Sequence, residues 1–364
     1  MEKIEEMIKR LCPEGVEYVK LGEVCKTITP PAKLKTNQYQ SSGPYMIIDQ
    51  GQDYCAGYTD NENVLLPADE YVLYGDHTCS VKYVNKRFAQ GADGLKILKF
   101  KENCNTKYLY YALSNYNIQS REYKRHWLQA KEIQIPLPPL PIQEAIVEIL
   151  DNFSRLSAEL QAELQARKQQ YAYYRNQLLT RFAPDEPVRE YALGDITSVL
   201  RGKRLTKSQL DEFGKYKVYH GGLEPIGLYN EKNRDAQTVM IINVGASAGT
   251  IGYSDEDFWS SDGCFCLKHC ELIDNKYLYY FLQTKENLLK SKVRHAGIPT
   301  LDSKVIEDMK IQLPSLTEQA RIVSILDKFE ALINDLSQGL PAEIEAVQKQ
   351  YEYYRNKLLT FEPA

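Results

Sequence analysis

Two stretches of the chain place apolar residues at alternating steps of three and four. The first runs Ile146, Ile149, Phe153, Leu156, Leu160, Leu164, Tyr171, Tyr174 and Leu178. The second runs Ile322, Ile325, Phe329, Leu332, Leu336, Leu340, Ile344, Val347, Tyr351, Tyr354 and Leu358. That spacing predicts amphipathic helices with a coiled-coil seam. A proline-rich strap precedes each, Pro136 to Pro141 in the first case and Leu313 to Leu316 in the second, where extended structure should stop. Some forty residues of helix at about 1.5 Å each make a rod on the order of 60 Å. The second stretch is longer by about one helical turn, and Gly339 and Pro341 lie in the addition, which predicts a break or kink there and two helices in line.

The regions ahead of the straps have a different texture. They are rich in Tyr, Val, Ile and Gly, with Asn and Asp turns and little sustained helical period, so they read as mostly β modules with a few helices. They also repeat. KYLYYAL from Lys107 returns as KYLYYFL from Lys276, and QYAYYRNQLLT from Gln170 returns as QYEYYRNKLLT from Gln350. Tyr45 and Gly51 match Tyr216 and Gly222, and Asp93-Gly94 matches Asp262-Gly263. A duplication of this length must be read before any fold is assigned. It gives an α+β chain: two mixed β-rich globular domains, residues 21–138 and 183–314, separated by two long helices, 139–182 and 315–364. The helices are expected to pair as an antiparallel coiled coil with internal pseudo-twofold symmetry. Residues 1–20 would supply an N-terminal helical segment near the far C-terminus, as if a circle had been cut within a repeat.

Composition narrows the chemistry. The chain has 364 residues, 43% apolar and 26% charged, which is ordinary globular composition. No long uncharged apolar run or secretory pattern occurs, so a cytoplasmic protein without a membrane span is expected. Eight cysteines lie scattered without CxxC pairs. Cys264, Cys266, His269 and Cys270 could be read as zinc ligands, but their spacing is poor for it, and Cys264 and Cys266 fall opposite the core-type Leu95 and Ile97. Buried thiols are the expectation.

The net charge of -4 speaks against a simple nucleic-acid coat, yet the acidic excess falls in the helices, links and termini, leaving the modules near neutral. Basic residues cluster in matched places. Arg201, Lys203, Arg204 and Lys207 follow the first strand of the second module, with Lys33 and Lys35 in the comparable stretch of the first. Lys290, Lys292, Arg294 and His295 parallel Arg121, Lys124, Arg125 and His126 before the straps. Paired clusters favour a shared ligand, and a few side chains suffice to read base edges. His77, His220 and Asn243 sit near glycine-rich turns that could reach a groove. Tyr173 and Tyr353 fall off the helical seam, where an aromatic anchor for a partner could stand.

At this point the chain resembles a specificity (S) subunit of type I DNA restriction-modification systems. The resemblance rests on IQLPSLTEQARIVSILDKF from Ile311, its sister IQIPLPPLPIQEAIVEILDNF from Ile133, the two QYxYYRNxLLT blocks and LCPEGVEYVKLGEV from Leu11. It implies two target-recognition domains, each reading one half of a gapped double-stranded DNA target. The helices between them would set the spacing and dock two methylation subunits, to which restriction and translocase subunits join. It implies no catalysis and no cofactor on this chain, with S-adenosylmethionine, ATP and Mg on the partners. One departure stands out: the GIPTL segment, Gly297 to Leu301, has no counterpart in the first copy.

The sequence carries no GxxxxGK[ST] loop, no strand-borne GxGxxG and no HExxH, and Gly245-Ala-Ser-Ala-Gly249 lacks the lysine of a phosphate loop. A recognition subunit is therefore favoured over an enzyme. The competing reading is a bivalent scaffold whose two β-rich modules bind protein or carbohydrate.

Overall fold

The computed structural model describes residues 2–102, 104–116, 125–334 and 339–364. Two compact units result, residues 1–160 with 344–364, and residues 161–343. Arg121 and Lys124, two of the basic candidates, lie outside the described residues.

The first unit begins with α1 (Glu2–Leu11), then β1 (Tyr18–Lys20), α2 (Leu21–Val24), β2 (Cys25–Ile28), β3 (Tyr45–Ile48), β4 (Gly57–Thr59) and β5 (Leu65–Leu66). It continues with β6 (Tyr71–Gly75), β7 (Val81–Val84), β8 (Phe88–Gln90), β9 (Leu95–Phe100), α3 (Thr106–Ser114), α4 (Trp127–Ala130), β10 (Gln134–Pro136) and α5 (Leu140–Thr180), a helix of 41 residues. Two four-stranded sheets form, β2-β9-β6-β7 and β4-β3-β8-β5, the β3–β8 pair being parallel. Strand β1 pairs antiparallel with β10, so the chain enters and leaves the module through one two-stranded neck.

The second unit repeats the plan: β11 (Arg189–Ala192), α6 (Leu193–Ile196), β12 (Val199–Arg201), β13 (Tyr216–Tyr219), β14 (Gly227–Tyr229), β15 (Thr238–Ile242), β16 (Ile251–Ser254), β17 (Phe258–Ser260) and β18 (Cys264–Leu267). Helices α7 (Asn275–Ser291) and α8 (Ser303–Glu307), strand β19 (Lys310–Leu313) and helix α9 (Leu316–Asn334) follow, then α10 (Leu340–Leu358), most of which belongs to the first unit, as the C-terminal half of α5 belongs to the second. Its sheets are β12-β18-β15-β16 and β14-β13-β17, with β13–β17 again parallel, and β11 pairs with β19 as the neck. The two YLYY blocks form α3 and α7. Asn105 caps α3 by accepting from the Tyr108 amide, and Asp274 caps α7 by accepting from Lys276 and Tyr277. Cys264 and Cys266 are buried inside β18, as the repeat alignment led us to expect.

Each module is fastened to its long helix in the same way. Tyr111 donates to Asp151 of α5 at 2.6 Å, and Tyr280 donates to Asp327 and Glu330 of α9. Lys276 lies over the rings of Tyr253, Tyr279 and Tyr280. A fully buried glutamine clamps each strap. Gln143 accepts from the Asn105 amide at 2.8 Å and donates to the Pro138 carbonyl at 2.7 Å. Gln319 accepts from the Asp274 amide at 2.8 Å and donates to the carbonyls of Pro314 at 3.0 Å and Leu272 at 3.1 Å.

Helix pairing is visible within each unit. In the first, Phe153 of α5 stacks on Tyr354 of α10 with centroids 5.5 Å apart; in the second, Tyr174 of α5 stacks on Phe329 of α9 at 6.0 Å. The seam differs from the expected one in detail. Leu156 and Leu332, assigned to it by spacing, are 41% and 66% exposed, while Leu150, Leu179 and Leu326 are buried. A strict three–four stripe is narrower than the face a helix buries when a globular module also packs on it, so the buried set rotates toward the module. In the second stretch a helix starts beside Gly339 and Pro341, and residues 335–338 ahead of it lie outside the described residues. Gly339 accepts the first bonds of α10 from Ala342 and Glu343, and Pro341 sits in the first turn, where its missing N–H costs nothing. Helix α1 joins the core that holds Leu358 and Leu359, and Val16 forms a parallel bridge to Pro363.

Candidate nucleic-acid interface

In the first module three loops meet where β3, β6 and β8 end. Gln50 is the hub: its side chain receives the His77 amide and donates to the Asp93 carbonyl, and its own carbonyl accepts from Thr78 and Ser80. Beneath, the buried Lys82 donates to the carbonyls of Asp49 at 2.9 Å and Asp53 at 2.6 Å, and burial lowers its pKa. Asp76 follows β6. Its amide donates to the Gly94 carbonyl at 2.6 Å, its carboxylate takes the Trp127 amide at 2.8 Å, and Lys96 lies 3.6 Å from Oδ2.

The basic candidates lie on this junction. Lys33 pairs with Asp93 at 2.7 Å, and that ammonium, with Arg125 and Lys96 more distant, holds the Asp93 carboxyl below its ordinary range. Lys33 arrives on the leading stretch of the module and Arg125 on the trailing one, so both ends of the domain bring a cation within electrostatic reach of Asp93. Lys35 is exposed two positions further on, at the start of a turn closed by Gln38.

The second module has the same junction with different contents. Asn243 stands at the place of Asp76: β6 and β15 pair with β9 and β18 in the same register, and the Asn243 amide donates to the Gly263 carbonyl at 3.1 Å. His220 Nδ1 accepts from the Gly263 amide at 3.2 Å and lies 3.3 Å from Asp262. Gly252 takes the place of Lys82, and Leu223 packs where a Cβ would stand.

Arg201 to Lys207 run along the turn between β17 and β18. Gly202 lies too close to the Ser261 carbonyl for any Cβ, and the Trp259 indole donates to the Lys203 carbonyl at 2.8 Å. Arg201, Lys203, Arg204 and Lys207 point their charges outward, all four exposed. From the other side, Lys290 at the end of α7 packs against Gly249, Lys292 caps that helix, and Arg294 opens a hairpin to Thr300 while pairing with Asp302 at 3.2 Å. Both basic groups thus flank one glycine-rich junction. Lys290 is half engaged, bound to Glu286 one turn back.

One parallel drawn from the sequence shifts. His126 donates its amide to the Asp76 carbonyl, while the residue that donates to the Asn243 carbonyl is Leu301, not His295. Arg125-His126 therefore correspond to the residues just before α8, and the 294–300 hairpin stands apart from them. Sequence similarity aligned basic residues by kind; the backbone bonds align them by place. Asp76 and Lys96 escaped notice in the sequence, although the Asp-Gly repeat beside them marked the spot, and so did the buried Gln143 and Gln319 at the straps.

On the helices, Tyr173 and Tyr353 are 59% and 61% exposed, each standing edge-on against a neighbouring tyrosine, Tyr174 or Tyr354, that itself stacks on a phenylalanine. In each unit an exposed seam leucine accompanies the exposed tyrosine, Leu156 with Tyr353 and Leu332 with Tyr173. Among the described residues no helix is long and apolar enough to cross a membrane.

Comparison with known proteins agrees with this anatomy. The sequence model of the type I restriction modification DNA specificity domain matches residues 13–167 and again 185–346. The chain is 31% identical to the specificity subunit of the type I restriction enzyme EcoR124I/EcoR124II of Escherichia coli over 99% of this chain and 98% of that one. It is 32% identical to a putative type I restriction enzyme specificity subunit of Haemophilus influenzae, covering 95% and 96%. In fold it is similar to the crystal structure of a type I restriction-modification S subunit from M. genitalium, with a TM-score of 0.64 at 19% identity over 95% of this chain and 96% of that one. A chain from a structural study of type I R-M complex assembly aligns with a TM-score of 0.61 at 16% identity, covering 95% and 98%. With the domain match repeated in both halves and full-length relatives above 30% identity, the chain belongs to the type I restriction-modification specificity subunits, the non-catalytic members that give such systems their DNA sequence specificity.

Proposed function

We propose that residues 21–138 and 183–314 each read one half of a gapped double-stranded DNA target. In this reading Lys33, Lys35 and Arg125 in the first module, with Arg121 and Lys124, and Arg201, Lys203, Arg204, Lys207, Lys290, Lys292 and Arg294 in the second, supply contacts to phosphates and base edges. The observation that carries the reading is the duplicated junction, where Lys33 pairs with Asp93 of the first module's Asp-Gly turn and the basic stretch from Arg201 runs along the matching turn of the second.

The helices set the distance between half-sites and dock two methylation subunits, with restriction and translocase subunits joining them in the cytoplasm. Tyr173 and Tyr353 are the docking anchors in this reading, because a twofold partner needs a surface that occurs twice and exposed aromatics on a rigid helix suit an interface hot spot. S-adenosylmethionine, ATP and Mg belong to those partners. Near-neutral modules make phosphate attraction by this chain alone weak, so tight binding needs the partners' surface as well.

The test is a footprint on duplex DNA with the methylation subunit added. Two short protected tracts around an unprotected gap are expected, and Y173A with Y353A should weaken assembly without changing the bases selected. Absence of protection on every duplex tried would overturn the reading and revive a non-DNA scaffold.

A further inference from the structure

Asn243 is fully buried at the floor of the second module's junction, and neither its Oδ1 nor its Nδ2 has a hydrogen-bond partner. A buried carboxamide left unpaired on both atoms is costly and calls for a complement. The first module shows that the position itself does not enforce this. There Asp76 has its carboxylate engaged by the Trp127 amide and faced by Lys96. In the second module Phe265 takes the place of Lys96 in the strand register, and the charge is gone from both positions together.

Glycine-rich backbone borders Asn243. Gly221 and Gly245 hold positive φ values of +61° and +95°, and a Cβ at Gly222 or at Gly297 would meet nothing within 4 Å. The Arg294–Thr300 hairpin is bound to this loop on both sides, the Gly245 amide donating to the Pro299 carbonyl and the Leu301 amide to the Asn243 carbonyl, with Ile298 at its tip 70% exposed. The bare loops leave room for a flat ligand to come close, and the hairpin is the element that must swing for one to reach the floor.

The carboxamide offers a donor beside an acceptor, and among base edges the complement is adenine, with N6–H as donor and N7 as acceptor. We propose that Asn243 is the specificity-determining residue through which the second module selects adenine at one position of its half-site, its amide pairing with that edge once the 294–300 hairpin has moved aside. The inference rests on the reading that this module recognises DNA.

The experiment uses the chain assembled with its methylation subunit, with DNA selected by binding and sequenced. Replacing Asn243 by alanine should reduce adenine preference at one position of the second half-site by roughly 10- to 100-fold and leave the first half-site unchanged. N243D, near-isosteric and able only to accept, should move the preference at that position toward cytosine, whose N4 is a donor. Should N243A fail to assemble, N243D carries the test. If both halves of the target persist and neither variant alters any base, Asn243 is a structural residue satisfied by solvent and the inference is overturned. If the wild-type complex selects no half-site that travels with residues 187–314 in a module exchange, the parent reading falls as well.

Discussion

Gln319 offers the sharpest test of how the second module is held to its helix. Replacing it by leucine keeps the volume and removes the carboxamide. The Asp274 amide and the Pro314 carbonyl then lose their partner inside the structure, while the Leu272 carbonyl belongs to an exposed residue that water can reach. A buried carbonyl and a half-buried amide left unmade at about 1–3 kcal/mol each, less a small gain from burying the leucine, give a loss of roughly 2–5 kcal/mol. Urea denaturation followed by far-UV circular dichroism should show a lower midpoint with an unchanged slope. Q319E refines the test. Its buried carboxyl can still accept from Asp274, but it can donate to Pro314 only when protonated, so its folded pKa must rise above the unfolded value. A raised folded pKa means that the native state binds more protons than the unfolded one, so stability is kept near pH 4 and lost as pH rises through the folded pKa. A leucine variant within 1 kcal/mol of wild type, or a glutamate variant equally stable at pH 4 and pH 7, would refute the clamp.

Two further outcomes can be checked directly. Y280F removes the hydroxyl that bonds Asp327 and Glu330 and should cost about 1.5–3 kcal/mol in the same denaturation assay, whereas a cost near zero would mean that the tyrosine holds by packing alone. Asp93 neutralises Lys33 and has its carboxyl held low, so the pair is present above the ordinary carboxyl pKa and lost as pH falls through the folded value; D93N should flatten that acid dependence of the urea midpoint. The same substitution frees Lys33, and the assembled complex should then show a salt dependence of DNA affinity steeper by up to about one unit of log–log slope.

Much of the architecture could be read without coordinates, because duplication states the same fact twice. The helical YLYY blocks and the buried Cys264 and Cys266 follow from period or from alignment of one copy on the other. What escaped has a common cause. Gln143 and Gln319 look like ordinary polar positions in a helix, and only the fold of the strap over them makes them internal. Leu156 and Leu332 satisfy the seam spacing yet face outward, since periodicity gives a direction around a helix but not the width of what packs there. The basic residues could be grouped by sequence, but the Lys33–Asp93 ion pair joins residues sixty positions apart, and the correspondence of His126 with Leu301 appears only in backbone hydrogen bonds.

The two-stranded necks carry a consequence for how such a protein changes over time. In one, Tyr18 faces Pro136; in the other, Arg189 faces Leu313; all that lies between hangs from adjacent strands. A recombination event with both crossovers inside a neck would replace the whole cassette and leave the phase of the downstream helix untouched. A lineage could thus exchange a whole module in a single event while the helix that follows it keeps its register.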